Sequence, residues 1–217
     1  MHQLTIAITF FGCLFFTDYS ISETENSQFF VFVGEKIHLS RDASPEGALS
    51  FDEQFSAKYK IIKPYKGSYS GTEIEFTVFD HYGIPAFSKY KYVLLYVVLH
   101  EGKYYHSKYM FSPLYKTSTG KWAGPYDVSA YAHSFNKNTN IKPKVIDFSA
   151  PVEIDISDMG EAQVERWYPK PYYKIKGNKA LAVYGNYIDE LFLLKQNGVL
   201  KAREQFQEYD FRSDNRE

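Results

Sequence analysis

The sequence predicts a mainly β fold with a C-terminal helix, in which a five-stranded antiparallel barrel or a closely related β-meander precedes an extension. Three observations lead to this fold class. The chain is rich in tyrosine and phenylalanine, with 20 Tyr and 18 Phe, and both residues favour strands. Between residues 29 and 111, segments alternate between apolar and polar residues or are apolar throughout, as strands are. A helical stripe of apolar residues comes only late in the chain.

The N-terminal segment is interpreted as a signal peptide. Residues 4–16 (LTIAITFFGCLFF) carry no charge, and Ser20 and Ser22 supply the small residues of a cleavage site before Glu23. The apolar run is shorter than the ~20 residues that a transmembrane helix needs. We therefore expect residues 1–22 to be a signal peptide and residues 23–28 a flexible leader. A buried strand is the alternative, because the extreme N-terminus lacks Lys and Arg.

Export predicts a periplasmic or secreted protein. The single cysteine, Cys13, follows Phe11 and Gly12 in a pattern that faintly resembles a bacterial lipobox, so lipidation is an alternative, and only then do we expect membrane attachment. If Cys13 is removed, the mature chain has no thiol. Disulfides, thiolate metal sites and cysteine nucleophiles are then excluded.

The first strands are predicted from apolar patterning. Residues 29–33 (FFVFV) are typical of a buried strand, and Gly34 marks a bulge or bend. Residues 54–62 place Phe55, Ala57 and Tyr59 on one face, which predicts a half-buried strand. A glycine-containing turn then leads into residues 73–79, which alternate in the same way.

The centre of the sheet is predicted at residues 90–99 (YKYVLLYVVL), which are apolar and rich in β-branched and aromatic residues. Residues 101–103 (EGK) form a hairpin turn, and residues 104–111 return as the next strand. With a further turn region over 117–124, we expect residues 29–125 to form one barrel-like domain.

Residues 126–217 are predicted to be an extension that carries the helix. Residues 129–144 are polar and typical of an irregular excursion. A helix is predicted over 187–207, with Asn186 as its N-cap and Gly198 as a point where it splits. The apolar stripe must be buried, so we expect this helix to pack on the sheet through Leu191 and Leu194.

Four short segments between residues 29 and 111 follow a recurring strand pattern: Phe32-Val33-Gly34, residues 62–67 (IKPYKG), residues 73–78 and residues 92–98. Their sequence and order resemble the oligonucleotide/oligosaccharide-binding (OB) barrel of netrin-type and tissue-inhibitor-of-metalloproteinase-like domains. The resemblance implies a five-stranded OB fold. The metalloproteinase inhibitors use a mature N-terminal cysteine and many disulfides, and a chain that begins at Glu23 has neither, which argues against protease inhibition by that mechanism.

Charge argues against an electrostatic partner. The chain has 25 Lys and Arg against 26 Asp and Glu, a net charge of −1. Removing residues 1–22 removes one acid, Asp18, and leaves the two signs equal in number. Nucleic acid is therefore not an expected partner. The partner that we expect is an unidentified protein or small ligand in the envelope or extracellular space.

Histidine supplies the chemical candidates. His100 and His106 flank the predicted hairpin turn and could face each other, with Glu101 nearby. Zinc needs three or four convergent ligands, so these residues alone predict surface positions rather than a metal site. A loop pair, Asp80 and His81, is explained equally well as a turn. No cofactor is predicted.

Aromatic side chains supply the binding candidates. Tyr104 and Tyr105 are adjacent on one strand and must point to opposite faces. Trp122 lies in a glycine-flanked segment. Packed core is the favoured interpretation of these rings, and an exposed aromatic face for a ligand or partner is the alternative. The possible contact residues are therefore Tyr104, Tyr105, Trp122, His100 and His106.

The function favoured by the sequence is an exported, non-enzymatic binding or protein-interaction domain. The absence of a recognisable nucleophile turn or phosphate loop disfavours familiar catalytic classes. The alternative is an exported hydrolase or metal-dependent enzyme whose site has no recognisable motif.

Overall fold

The structure, a computed structural model, describes residues 28–43 and 51–204. The predicted signal peptide, Cys13, leader residues 23–27 and the last residues of the predicted helix, 205–207, lie outside the described residues. Within the described ranges, no helix has both the length and the hydropathy needed to span a membrane.

Five strands form a closed ring, which confirms the predicted fold class together with the C-terminal helix described below. They are β1 (Gln28–Arg41), β2 (Glu53–Lys66), β3 (Glu73–Asp80), β4 (Tyr92–His100) and β5 (Lys103–Lys116). Their order is β3-β2-β1-β4-β5 with antiparallel neighbours, and a parallel pairing of Thr77 with Tyr105 joins β3 to β5. The apolar segment 90–99 thus supplies a central strand, β4, as predicted.

The rest of the described chain is built from short elements. They are a 3₁₀ turn (Ala86–Lys89), β6 (Trp122–Pro125), α1 (Val128–Ala132), a 3₁₀ turn (Ser134–Asn136), β7 (Lys144–Val145), β8 (Glu153–Asp155), α2 (Glu161–Trp167), β9 (Tyr173–Lys176), β10 (Lys179–Ala182), β11 (Tyr184–Tyr187), α3 (Ile188–Lys195) and a π-helical turn (Gln196–Leu200). Strands β6, β11 and β7 continue the sheet beyond β5, whereas β8, β10 and β9 form a separate small sheet.

The inside of the ring is an aromatic core. The alternation in β2 and β3 buries the predicted face, including Phe55, Tyr59 and Phe76. Gly34 lies at a register irregularity of β1, as predicted, and a Cβ there would come within 2.9 Å of the Phe32 ring. Glycine is therefore required where β1 passes closest to the packed rings.

The outer face of β1 and β4 forms a second core, under α3. Phe192 is fully buried there, with its ring parallel to that of Tyr96 at 6.3 Å and tilted against that of Tyr65 at 5.1 Å. Because β4 is covered on both faces, its sequence is apolar without alternation. The expected anchors, Leu191 and Leu194, are both buried as well.

The start and the course of the C-terminal helix differ from the prediction. Asn186 is not the N-cap, because β11 continues to Tyr187 and pairs with β6, so the helix begins at Ile188. The Tyr187 amide donates to the Glu190 carboxylate at 3.3 Å. Gly198 does not split the helix, since the chain continues through the π-helical turn. A Cβ at Gly198 would lie 2.8 Å from the Asn136 side-chain nitrogen, which explains the glycine.

A bulge in β5 shapes one end of the ring. Leu95 pairs with Phe111 and Val97 pairs with His106, so β5 carries extra residues opposite Tyr96. Within the bulge, Tyr109 has a φ of +64°, a left-handed conformation that is uncommon for a residue with a side chain. Bulges redirect side chains, and the Tyr109 side chain at this bulge is exposed.

Candidate functional site

His106, one of the predicted contact residues, is a buried structural residue. Its Nε2–H donates to the Met110 carbonyl oxygen at 2.9 Å across the β5 bulge. Its ring packs 4.6 Å from the Phe87 ring and 6.2 Å from the Phe76 ring. Burial lowers the pKa of His106 to about 4. The side chain is therefore neutral at physiological pH, and its role is to hold the bulge.

His100 lies at the exposed end of β4 and does not face His106. Its Nε2 is 3.9 Å from a carboxylate oxygen of Glu101, and its partner on β5 is Lys103, whereas the partner of His106 is Val97. Across residues 28–43 and 51–204, no group of three or more His, Cys, Asp or Glu residues is placed to hold a metal ion.

The three predicted aromatic contacts lie in three environments. Tyr104 faces the ring core and touches the Tyr69 ring edge-on at 5.5 Å. Tyr105 faces outward and stacks on the Phe79 ring at 6.4 Å. Trp122 begins β6, where it packs against Tyr92 at the opposite end of β4 from His100. The predicted contact residues therefore do not form one site.

A cleft of about 450 Å³ lies where the ring meets the C-terminal extension. Its ring wall is formed by Tyr90, Phe111 and Tyr109. Tyr90 follows the first 3₁₀ turn and packs against Phe111 with ring centres 6.0 Å apart. The β5 bulge brings Tyr109 to the same wall. This volume lies in the range of small-molecule sites, which are lined mainly by apolar and aromatic side chains.

The opposite wall belongs to the extension and includes Tyr126, Trp167, Tyr168 and Tyr173. The Tyr126 ring stacks on the Tyr172 ring at 3.9 Å. The Tyr173 hydroxyl donates to the Tyr126 carbonyl oxygen at 2.5 Å, and the rings of Tyr168 and Tyr173 meet edge-on at 5.1 Å. Stacking and a hydrogen bond thus fix the tyrosine rings of this wall.

One ion pair lines the cleft, between Asp127 and Lys195. Asp127 caps α1: its Oδ1 accepts from the backbone amides of Ser129 and Ala130, at 2.9 and 3.3 Å, and from the Ser129 hydroxyl at 2.5 Å. Its Oδ2 lies 3.4 Å from the Lys195 ammonium, on a side chain that is only 14% exposed. The α1 N-terminus and α3 therefore position the two charges.

The electrostatics of the cleft keep the pair charged and the phenols neutral. Burial pushes the pKa of Asp127 upward, but Lys195 and the bonds from Ser129 and Ala130 outweigh it, so that this pKa lies below its ordinary value. Burial raises the pKa of Tyr90, and the nearby Tyr168 and Asp127 raise it further. Burial also raises the pKa of Tyr168. The cleft therefore offers neutral hydroxyls beside one compensated ion pair.

None of the five predicted contact residues lines the cleft, which the sequence analysis did not identify as a site. Asp127 and Lys195 are separated by 68 positions, and neither belongs to a spaced motif. The one local signal was Asp127 followed by Ser129, which is typical of a helix N-cap. Comparison of the chain with protein-family models, curated proteins and solved structures found no match.

Proposed function

We propose that this chain is an exported, non-enzymatic binding protein whose ligand site is the aromatic cleft between the ring and the extension. One observation carries the proposal: aromatic walls from two parts of the chain converge around a single compensated ion pair. Apolar walls with a few fixed polar groups are the usual composition of a ligand site. The site is built on rigid elements, since β5 supplies one wall and α1 and α3 hold the ion pair.

We also propose that the ring has an OB-type fold, as the resemblance to netrin-type domains implies. The support is a ring of five strands in which β3 pairs with β5, because an OB fold is a five-stranded, partly open barrel. The aromatic cleft lies outside this ring. A netrin-type fold would therefore serve here as the scaffold of a site that is completed by the extension.

Export is supported by the uncharged run 4–16 and by Ser20 and Ser22. Intact-mass measurement of the chain recovered from its native host tests it. We expect a mature N-terminus at or near Glu23. A mass that retains residues 1–22 contradicts export by cleavage, and a lipid adduct on Cys13 establishes a lipoprotein.

Ligand-detected NMR with a library of small aromatic and polyol fragments tests the binding site. Trp167→Ala removes an exposed ring from the cleft wall, and Ile175→Ala is the matched control on β9, outside the cleft. We expect fragments that bind the parent chain to lose their signal with Trp167→Ala and to keep it with Ile175→Ala. Equal binding to both variants, or no binding to the parent chain, contradicts the proposed site.

A further inference from the structure

We propose that the ligand of the aromatic cleft is a neutral carbohydrate, bound by stacking of a sugar ring on Trp167 and by a sugar hydroxyl that bridges Asp127 and Lys195. This inference rests on the proposed function, because it names the ligand class of the same cleft. Three features of the cleft support it: its charge, its hydrogen-bonding capacity and its rings.

The charge of the cleft favours a neutral ligand. Asp127 and Lys195 are the two charged residues that line it, and they neutralise each other at 3.4 Å. A charged ligand would lose hydration on entering this aromatic site without meeting an uncompensated opposite charge among the residues that line it. A neutral polar ligand avoids that cost.

The hydrogen-bonding capacity of the ion pair matches a hydroxyl group. Within the described part of the chain, Oδ2 of Asp127 is the one hydrogen-bond partner of the Lys195 ammonium, which has three N–H donors. Oδ1 of Asp127 is occupied by α1, whereas Oδ2 has room for a further donor. A hydroxyl both donates and accepts, so one hydroxyl can donate to Oδ2 and accept from Nζ.

The phenols of the cleft match a ligand with several hydroxyls. No described residue hydrogen-bonds the side-chain oxygen of Tyr90 or Tyr168. Both groups stay protonated because burial raises each pKa. Each phenol can therefore both donate a hydrogen bond to a ligand and accept one from it. A polyhydroxylated ring supplies such groups on its rim.

The exposed ring of Trp167 offers a face for stacking. Its side chain is 40% exposed, and the Arg166 guanidinium lies 4.9 Å from the ring centre and covers one face. No aromatic ring of the described chain stacks on Trp167. The negative face of an aromatic ring attracts positively polarised C–H groups. The C–H face of a sugar ring is such a surface.

An extended peptide is the competing ligand. Peptides that bind by strand addition need a free sheet edge. Strand β6 pairs with β5 at Tyr115 and Lys116, so the cleft residues Tyr109 and Phe111 lie outside that pairing. We therefore treat peptide binding as a competing outcome of the test.

The test uses the full chain carrying Trp122→Phe. The sequence holds two tryptophans, so this variant leaves Trp167 as the fluorescent reporter. The probes are maltotriose, cellotriose, mannotriose and triacetylchitotriose, with trigalacturonic acid as the charged comparison and trialanine as the peptide comparison. Calorimetry on the unaltered chain repeats each titration that changes the fluorescence.

We expect at least one neutral trisaccharide to shift the Trp167 emission, and trigalacturonic acid and trialanine to leave it unchanged. Asp127→Asn, which keeps the helix cap, and Lys195→Met should each weaken binding about tenfold or more, as the loss of a hydrogen bond to a charged group does. The matched control is Lys201→Met, on the exposed surface next to α3, and it should leave the affinity unchanged. Thermal melting confirms that each variant is folded.

Three results would overturn the carbohydrate assignment. The first is that none of the four neutral sugars binds, while fragments still map to the cleft; the ligand class is then wrong and the proposed function stands. The second is stronger binding of trigalacturonic acid or trialanine, which makes the ligand anionic or a peptide. The third is sugar binding that Asp127→Asn and Lys195→Met leave unaltered. If neither fragments nor sugars bind, both the carbohydrate assignment and the proposed function are wrong.

Discussion

The ring and the extension are held together in different ways. In the ring, β1, β2 and β5 each span 14 residues, and their alternating faces enclose a continuous core. In the extension, strands have two to four residues, and the buried members of its small cluster, among the described residues, are Ile156, Tyr173 and Ala180. Stability in the ring therefore comes from many equivalent contacts, whereas the extension depends on a few specific ones.

This difference explains where the cleft lies. The aromatic side chains inside the ring are enclosed, so a ligand cannot reach them. In the extension, pairwise stacking of aromatic side chains leaves several of them half exposed. Tyr126 and Tyr168 are ordered by their neighbours and still face the cleft. If the two regions depend on such different interactions, substitutions in the ring, in the extension and where they meet should differ in their effects on stability.

The largest effect is expected where the two regions meet, at Phe192. This ring is fully buried between α3 and the outer face of the ring. Phe192→Ala should lower the free energy of unfolding by about 3–5 kcal/mol, through lost burial and the cavity left behind. Urea denaturation measures it, with the exposed Lys201→Ala as the control. A loss no larger than that of the control would mean that α3 contributes little to the fold.

The second effect is a loss of stability at low pH, caused by the protonation of His106 in the ring. His106 has a pKa of about 4 in the folded chain against about 6.5 when unfolded, so the unfolded state binds the proton more readily. The contribution of neutral His106 to the free energy of unfolding is present in full above pH 6.5 and is lost as the pH falls towards 4. The total loss should reach about 3 kcal/mol.

Urea denaturation across this pH range, on two matched variants, isolates the histidine. His106→Gln, whose amide can still donate to Met110, should flatten the pH dependence between 6.5 and 4, whereas His100→Gln, at the exposed end of β4, should not change it. The same slope in both variants would show that His106 does not titrate as its burial requires.

The third effect should be confined to the extension. Tyr173→Phe removes the hydroxyl that donates to the Tyr126 carbonyl oxygen. We expect a loss of about 1 kcal/mol, typical of one hydrogen bond, together with faster amide exchange in β8, β9 and β10. Tyr168→Phe is the control, since no described residue hydrogen-bonds its hydroxyl. Faster exchange in β1–β5 as well would mean that the two regions open together.

The smallest effect is expected at Tyr59, in the middle of the ring core. Its hydroxyl is buried and has no hydrogen-bond partner among the described residues. Because an unpaired buried hydroxyl opposes folding, Tyr59→Phe should leave the stability unchanged or raise it by less than about 1 kcal/mol. Calorimetric melting measures it. A clear loss of stability would reveal a partner such as a buried water.

The ring was largely predictable from the sequence because the pattern of apolar residues repeats along each strand. The alternation of Phe55, Ala57 and Tyr59 is long enough to fix which face is buried, and the apolar run of β4 indicates a strand covered on both sides. The bulge at Tyr109 was not predictable, since it depends on the buried His106 bonding to a carbonyl of the same strand.

The extension and the candidate site were less predictable. Strands of two to four residues are too short to show a period. Helix α2 (EAQVERW) has no buried residue and its sequence shows no apolar stripe. The predicted cap at Asn186 is wrong because this residue lies in β11, where its side chain accepts from the Tyr131 hydroxyl and donates to the Lys142 carbonyl oxygen. The site itself depends on Asp127 meeting Lys195, a contact between distant positions that no local pattern records.

Strand β5 has a consequence for how this protein can change over evolutionary time. Its first residues close the ring against β3, and its last residues, Tyr115 and Lys116, pair with β6. A chain cut after β5 would leave that end of the strand as a sheet edge and uncover the apolar face beneath α3, two features that promote aggregation. The ring and the extension are therefore expected to be inherited together, and new binding specificities to arise by exchange of cleft residues rather than by shuffling of modules.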